Sequence, residues 1–369
     1  MDNLTHSLFG LTLARTPLGR AGRGTTAALL LASNVPDADI VVTLGGAAKY
    51  LEFHRGPTHG PLGIAGLAVV VAGLVWGGVR RWRKPDAGPD ASFTHLWLIS
   101  MLGILGHVLM DLPTSYGTRP LSPFTWTWFT TDWMPIVDIY LLAILAGGLW
   151  LGRQAPGAAR WRRSARVATV TLLLMSAHYG LRATLHDAAV QRAPEAFGPR
   201  LPAWCADAVP QGTLAHWPRG GGENPGTAAP GACVVDLAAL PDFLSPFRWR
   251  LIAQLRNAYE IRDVDLWSGR GLNPDESLAT RVLSVRVPNQ WTPAVATASH
   301  APTAQVFLGF SRFPAASSVM GEDGTMVRWS DLRFIQGSLD DPRQFRRGLF
   351  GATVLLGSDG TVEEDRLGP

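Results

Sequence analysis

Residues 93–112 read Phe93-Thr-His-Leu-Trp-Leu-Ile-Ser-Met-Leu-Gly-Ile-Leu-Gly-His-Val-Leu-Met-Asp-Leu112. The run is apolar and close to the ~20 residues that a helix needs to cross a bilayer. His107 and Asp111 fall four apart near its end, so a helix places them on one face, one turn from each other. Ionisable side chains at membrane depth are costly and tend to mark a function. Imidazole with carboxylate is also a natural metal-ligand pair. The bland reading is a structural hydrogen bond that staples two helices. The positions of the other acids and histidines decide between them.

A chain of 369 residues has room for two domains, and 47% hydrophobic against 17% charged residues is an apolar balance for a soluble protein. The mean hydropathy is +0.10. Long apolar runs fill residues 24–185 and are absent afterwards, so a membrane domain precedes a soluble one. The formal charge of +4 does not call for nucleic acid, because the arginines sit in short clusters between apolar runs. A removable signal peptide is not expected, since Asp2 and His6 stand where a basic segment would. Cys205 and Cys233 are expected to pair in an exported domain and to stay thiols in the cytosol. The sequence holds no serine nucleophile elbow, P-loop or dinucleotide fingerprint.

Residues 2–14 form a short helical candidate. Thr25–Leu44 is an apolar run broken by Asn34-Val-Pro-Asp-Ala-Asp39, where Pro36 interrupts the helix. Leu62–Val79, Phe93–Leu112, Met134–Leu151 and Val167–Leu185 read as further spans. The arginine clusters at 15–23, 80–84 and 153–166 should face the cytoplasm. Residues 46–61, 114–133 and everything after about 186 then lie outside. His54, His59, Asp132 and Asp138 fall on that outer side, with the outer ends of the Pro36–Asp39 and His107–Asp111 segments, and His6 joins them if the first helix begins there. After residue 190, Pro194–Gly231 reads as irregular. Strands are expected at Tyr259–Trp267, Arg281–Val287, Gln305–Phe313, Met326–Ile335 and Phe350–Leu356, and a helix around Phe247–Asn257.

Each candidate has a plainer reading. His54 and His59 flank Gly56-Pro57 in a loop that can fold both imidazoles onto one ion, though loop histidines are usually solvated. Asp37 and Asp39 point to opposite sides if the chain is extended, so one ligates and the other orients a histidine or holds a second ion. Asp138 suits a helix start, and Asp132 reads as a solvated loop residue. Arg55 and Arg119 can offset charge on an anionic substrate or meet lipid headgroups. His95 lies at the opposite end of its helix, His178 mid-helix, and His186 near the end of the last span. A histidine and aspartate set without cysteine suits zinc or manganese in one- or two-metal hydrolysis.

Asn3-Leu-Thr-His-Ser7, Pro36-Asp-Ala-Asp39, His54-Arg-Gly-Pro-Thr-His59 and His107-x3-Asp-x2-Thr-Ser-Tyr-Gly117 together resemble the bacterial YdjM-like family of membrane-bound, metal-dependent hydrolases. Trp133-x4-Asp138 and Ser311-Arg-Phe-Pro314 fit the same pattern. The resemblance implies an integral inner-membrane protein with a hydrolase-like metal centre, and it supports His6, Asp37, Asp39, His54, His59, His107 and Asp111 as site positions. Two positions depart from the pattern. Gly60 stands where the family has serine, and Ile139 where it has proline.

The expected architecture is an all-α polytopic membrane domain at 1–188, an irregular linker at 189–245, and an extracytoplasmic α+β or mostly-β domain at 246–369. The expected function is an inner-membrane metal-dependent hydrolase with an outward-facing site. His6, Asp37, His59, His107 and Asp111 are the expected ligands of a divalent ion. Asp39, His54, Arg55 and Arg119 are the expected catalytic groups. Membrane lipid and an ester or phosphodiester of a lipid-like substrate are the expected partners. The alternative is a transporter or scaffold with an ion-binding or structural metal site.

Overall fold

The computed structural model describes residues 1–82, 88–153, 160–198, 201–208, 210, 212–217, 233–267, 285–322, 324–335 and 350–368. Two compact units emerge. The first comprises Met1–Val41, Phe53–Trp126 and Trp133–Ala183; the second comprises Val42–Glu52, Thr127–Asp132 and Thr184–Pro369.

The first unit is helical. Helix α1 (Asn3–Arg15) starts on the Asp2 carboxylate, which accepts from Thr5 N at 3.0 Å. Helix α2 (Thr25–Ala32) stops ahead of Pro36, and a 3₁₀ stretch over Val35–Gly45 leaves it at 46°. A short α3 (Ala47–Phe53) leads into the histidine loop. Helices α4 (Pro61–Arg81) and α5 (Phe93–Asp111) follow, then α6 (Ile139–Gly152) and α7 (Arg160–Gln191).

Helix α5 shows how its sequence divides. Ser100, Gly103, Ile104, His107, Val108 and Asp111 are buried, at the three- and four-residue steps of one helical face. Leu98, Leu102, Leu105 and Leu109 are exposed on the other side, as lipid-facing leucines would be. Small residues let the helices approach. A Cβ on Gly10 of α1 would lie 2.8 Å from Ser33 Oγ, and one on Gly103 of α5 would lie 2.8 Å from the Cβ of Ala32. Ala28, Leu29, Ala32, Leu96 and Ile104 fill the centre.

Among the described residues, α4 and α5 are long and apolar enough to cross a membrane, and the bent pair of α2 and the 3₁₀ stretch makes a third if it counts as one span. The stretches Met134–Leu151 and Val167–Leu185 differ from the spans expected of them. The first becomes helical only at Ile139, where Asp138 caps the chain, leaving the 14 residues of α6. The second lies within the 32-residue α7, whose threonines, Ser176, His178 and Arg182 dilute its apolar character.

The second unit is rich in sheet. Strands β3 (Val234–Pro241), β4 (Arg248–Leu255), β5 (Ala258–Asp265) and β6 (Val285–Pro288) form one antiparallel sheet in sequence order. Strands β7 (Pro314–Met320), β8 (Thr325–Asp331), β9 (Gly351–Leu356) and β10 (Val362–Leu367) form another. Helices α9 (Pro293–Ala298) and α10 (Pro302–Phe310) share a core with the second sheet through Val295, Phe307, Val327, Trp329 and Val354. A two-stranded ribbon joins β1 (Trp128–Thr130) to β2 (Ala215–Trp217), with the Trp128 and Trp217 rings stacked at 5.8 Å.

Four expectations need correction. The region 189–245 is not all irregular: it holds α8 (Ala193–Phe197), β2 and β3. The helix expected around Phe247–Asn257 is strand β4, whose buried Trp249, Leu251, Ile252, Ala253 and Leu255 pack on both sheet faces. The strand expected at Gln305–Phe313 is largely helix α10, opened by Pro302 and burying Ala304, Phe307 and Leu308 at helical steps. Asp132 is not a solvated loop residue. It is 2% exposed and accepts from Arg312 Nη1 at 2.6 Å, while Arg312 Nη2 donates to Asp236 at 3.0 Å. The expected strand at Arg281–Val287 lies outside the described residues up to 284; β6 covers the rest. Cys205 and Cys233 form a disulfide that fastens the chain to the start of β3, where Cys205 N donates to Val234 O at 2.9 Å.

Candidate metal centre

Three pieces of the first unit supply the cluster. Pro36 carries no N–H and halts α2, so the chain turns as a 3₁₀ stretch bearing Asp37 and Asp39. Helix α5 carries His107 and Asp111 on its buried face. Between them in sequence runs the His54–His59 loop. Its Arg55 adopts φ 53°, a left-handed conformation costly for a non-glycine residue. A Pro57–His59 turn then delivers His59. Gly60 is required by packing, because a Cβ there would collide with the Ser122 carbonyl. A serine at this position would not fit the present backbone.

The ligand atoms converge. His107 Nε2 is 3.3 Å from His59 Nε2 and 3.4 Å from both Asp37 Oδ1 and Asp111 Oδ2. His59 Nε2 is 3.3 Å from Asp111 Oδ2 and 3.8 Å from Asp37 Oδ1. All four residues offer ligand atoms within 4.8 Å of one another. An ion with donors at ~2.0–2.1 Å in tetrahedral array sets those donors about 3.3–3.4 Å apart, which matches the edges among His107, His59 and Asp111 and the His107–Asp37 edge; the His59–Asp37 edge is longer. His6 joins them from α1: its ring stacks on His107 at 3.8 Å, and its Nε2 lies 3.3 Å from Asp111 Oδ1. Neither His6 ring nitrogen has a hydrogen bond among the described residues, although the side chain is fully buried. The Met1 amino group also meets Asp111 Oδ1.

Hydrogen bonding fixes what these atoms offer. His107 Nδ1 lies 2.9 Å from the Ser33 carbonyl, which can only accept. Nδ1 therefore carries the proton and Nε2 presents a lone pair. Burial above all holds the His59 pKa well below the usual imidazole range, so its ring is neutral. Two imidazole lone pairs thus face two carboxylates. Acceptors so placed repel unless a cation lies among them, and the donor set fits a divalent ion of the zinc or manganese type.

Asp39 faces another way. Its Oδ1 is 2.7 Å from His54 Nδ1, and its Oδ2 accepts from Arg55 N at 2.9 Å and Thr58 Oγ1 at 3.0 Å. Asp37, Asp39 and His54 form a second group with ligand spacing, sharing Asp37 with the first. The Asp39 hydrogen bonds nevertheless suit a carboxylate that orients its neighbours. The two arginines bind protein groups. Arg55 Nη1 donates to Thr114 Oγ1 at 2.8 Å and to Gly117 O at 3.2 Å, and Nη2 lies 3.2 Å from Asp111. Arg119 Nη2 donates to the His54 carbonyl at 2.8 Å and the guanidinium lies over Trp126.

Sequence reasoning overlooked Thr58, Thr114 and the Ser33 carbonyl. The first two lie inside the quoted motifs; a backbone carbonyl leaves no mark in sequence. Asp138 lies in a different group: it caps α6 through Leu141 N at 2.8 Å, with His178 Nε2 at 3.1 Å and Arg182 Nε at 3.8 Å. His186 stands edge-on to Trp249 in the second unit.

All nine expected site residues lie within residues 1–188, the stretch that the sequence profile of the YdjM inner membrane protein family matches. The uncharacterized protein YfhP of Bacillus subtilis (strain 168) is 28% identical over 167 residues, which cover 42% of this chain and 48% of that protein. The chain thus spans about half the length of the curated relative it matches. No solved structure matches the chain. With half of its length matched across the whole helical motif set, this chain belongs to the YdjM inner membrane protein family.

Proposed function

We propose that the protein is a multi-pass inner-membrane metallohydrolase whose site opens on the outer face. One observation carries the reading: His59, His107, Asp37 and Asp111 bring their ligand atoms together within 4.8 Å of one another, as ligands of a common ion would. His59, His107, Asp37 and Asp111 hold the ion, with His6 beside them as a further ligand. A divalent ion bound there supplies Lewis acidity and brings the pKa of water toward neutrality. His54 is oriented through Nδ1 by Asp39, the arrangement of a general base held by a carboxylate. Arg55 balances the Asp111 charge and keeps the loop closed on α5. Arg119 supports His54 through its carbonyl.

The basic clusters support a reading in which α4 and α5 cross the membrane with the site at their outer ends. The Cys205–Cys233 disulfide suits an oxidising compartment and so supports a periplasmic second unit. A site at the outer leaflet suits an ester or phosphodiester of a lipid-like substrate. A second reading, a closed structural or ion-binding site in a scaffold or transporter, draws on the complete burial of the His59, His107 and Asp111 side chains. Asp37 and His54 favour the enzyme, because their side chains retain 12% and 11% exposure.

The test is metal analysis of purified protein alongside His107→Ala and Asp111→Ala. Stoichiometric zinc or manganese in the wild type, lost in both variants, supports the centre. Wild-type protein that holds no metal when prepared without chelators sinks it. Turnover of a lipid ester or phosphodiester that depends on the metal separates the enzyme from the closed site.

A further inference from the structure

Thr58 stands between a carboxylate and a ligand histidine. Its Oγ1 lies 3.0 Å from Asp39 Oδ2 and 3.0 Å from His59 Nδ1. The direct distance from His59 Nδ1 to Asp39 Oδ2 is 3.9 Å, too long for a hydrogen bond. The hydroxyl bridges that gap. Asp39 Oδ2 already accepts the Arg55 N–H, which marks it as the acceptor in this pair. The Thr58 hydroxyl must therefore donate to Asp39. Its one proton is then spent, so toward His59 it can only accept. His59 Nδ1 consequently carries the ring proton, and Nε2 is left with the lone pair that faces His107, Asp111 and Asp37.

We propose that Thr58 is a positioning residue, the relay through which Asp39 fixes His59 as a ligand through Nε2. The inference rests on the reading of His59 as a metal ligand. His107 reaches the same tautomer through a fixed backbone carbonyl. His59 sits on a loop, where no backbone carbonyl is found at its Nδ1 among the described contacts, and a side chain does that work. Asp39 thereby orients two histidines at once: His54 directly at 2.7 Å, and His59 through the hydroxyl. Outer partners of this kind typically carry 10–100-fold in metal affinity. A plainer role, tightening the Pro57–His59 turn, predicts lost stability without a changed tautomer.

The experiment uses the full chain in detergent with Thr58→Val, which keeps the shape and removes the hydroxyl, and Thr58→Ser, which restores it. Zinc affinity is measured by calorimetry after chelation, and the His59 tautomer by nitrogen-15 NMR of the metal-free protein. Thr58→Val should weaken zinc by about 10–100-fold and move the proton toward Nε2. Thr58→Ser should stay within about threefold of wild type in affinity and keep the Nδ1–H form, since the relay's hydroxyl is intact. Should Thr58→Val fail to fold, Thr58→Ala serves instead, since it removes the same hydroxyl with less bulk. Unchanged zinc affinity in Thr58→Val, or an unchanged tautomer in whichever variant folds, overturns the relay. If wild type binds no zinc, the metal reading fails, and the tautomer measurement still decides the relay.

Discussion

His107 of α5 donates from Nδ1 to the carbonyl of Ser33 at the end of α2, at 2.9 Å. This bond depends on the two helices lying close, which Gly103 permits. A Cβ at 103 would meet Ala32 Cβ at 2.8 Å and Leu29 O at 3.5 Å. Gly103→Ala gains up to ~1 kcal/mol of helix propensity, which partly offsets the crowding. Gly103→Leu has no such balance and should cost about 1–3 kcal/mol through overpacking. It should also lower zinc affinity, although residue 103 touches no ligand. Thermal melts and zinc titration of both variants check this. Leucine at 103 with unchanged zinc affinity would separate the Ser33 contact from the centre.

Metal removal should destabilise the helical unit. Without an ion, buried acceptors of His59, His107, Asp37 and Asp111 face one another. Zinc at 100 times its dissociation constant should add about 2.7 kcal/mol of stability by mass action. Chelation should lower the melting temperature reversibly, and Asp111→Ala should show no zinc-dependent shift. A wild-type melting curve that ignores both chelator and added zinc would count against binding.

Much of the cluster could be read from local spacing. His107 and Asp111 share a face because a helix repeats near four residues, and Pro36 announces the break that carries Asp37 and Asp39. The relay and the Ser33 contact could not be read, since a hydroxyl in a loop and a backbone carbonyl give no periodic signal. Asp132 shows the same limit at long range. Its partner Arg312 is 180 residues away, so nothing beside Asp132 distinguishes it from a solvated loop acid. In the second unit, Gln305-Val-Phe-Leu-Gly-Phe310 has strand-like composition, but Pro302 starts a helix and tertiary packing selects Ala304, Phe307 and Leu308 as its buried face. Phe247–Asn257 fails in the reverse sense, because a strand buried on both faces loses the alternation that reveals strands.

Arg312 should be essential to the second unit. Burial works to lower its pKa, but Asp236 and Asp132 outweigh this and hold the guanidinium charged. Arg312→Met would strand two buried carboxylates and should cost about 3–5 kcal/mol. Adding Asp132→Asn and Asp236→Asn to Arg312→Met should recover part of that loss, because no unpaired charge then remains buried. Denaturant melts of the single and triple variants test the order. Equal losses in both would show that shape, rather than charge, holds the site.

The disulfide offers the last test, because it bears on compartment as well as stability. It closes a 28-residue separation between Cys205 and Cys233, for which loop closure gives about 3–4 kcal/mol. Beside it, Arg256 Nη2 donates to Asp207 at 2.6 Å and Arg256 Nε approaches Cys233 Sγ at 3.4 Å. The Arg256 hydrogen bond holds the exposed Asp207 carboxyl below its ordinary value of 3.8. A depressed carboxyl contributes stability above its unfolded pKa and loses it only as pH falls through the lower folded value. This ion pair is therefore intact throughout pH 5–8, and the gap between oxidised and reduced protein should be level across that range. Thiol labelling of freshly lysed cells should find both cysteines blocked until reductant is added. Free thiols in protein taken directly from the membrane would place the second unit on the reducing side and count against the proposed periplasmic placement.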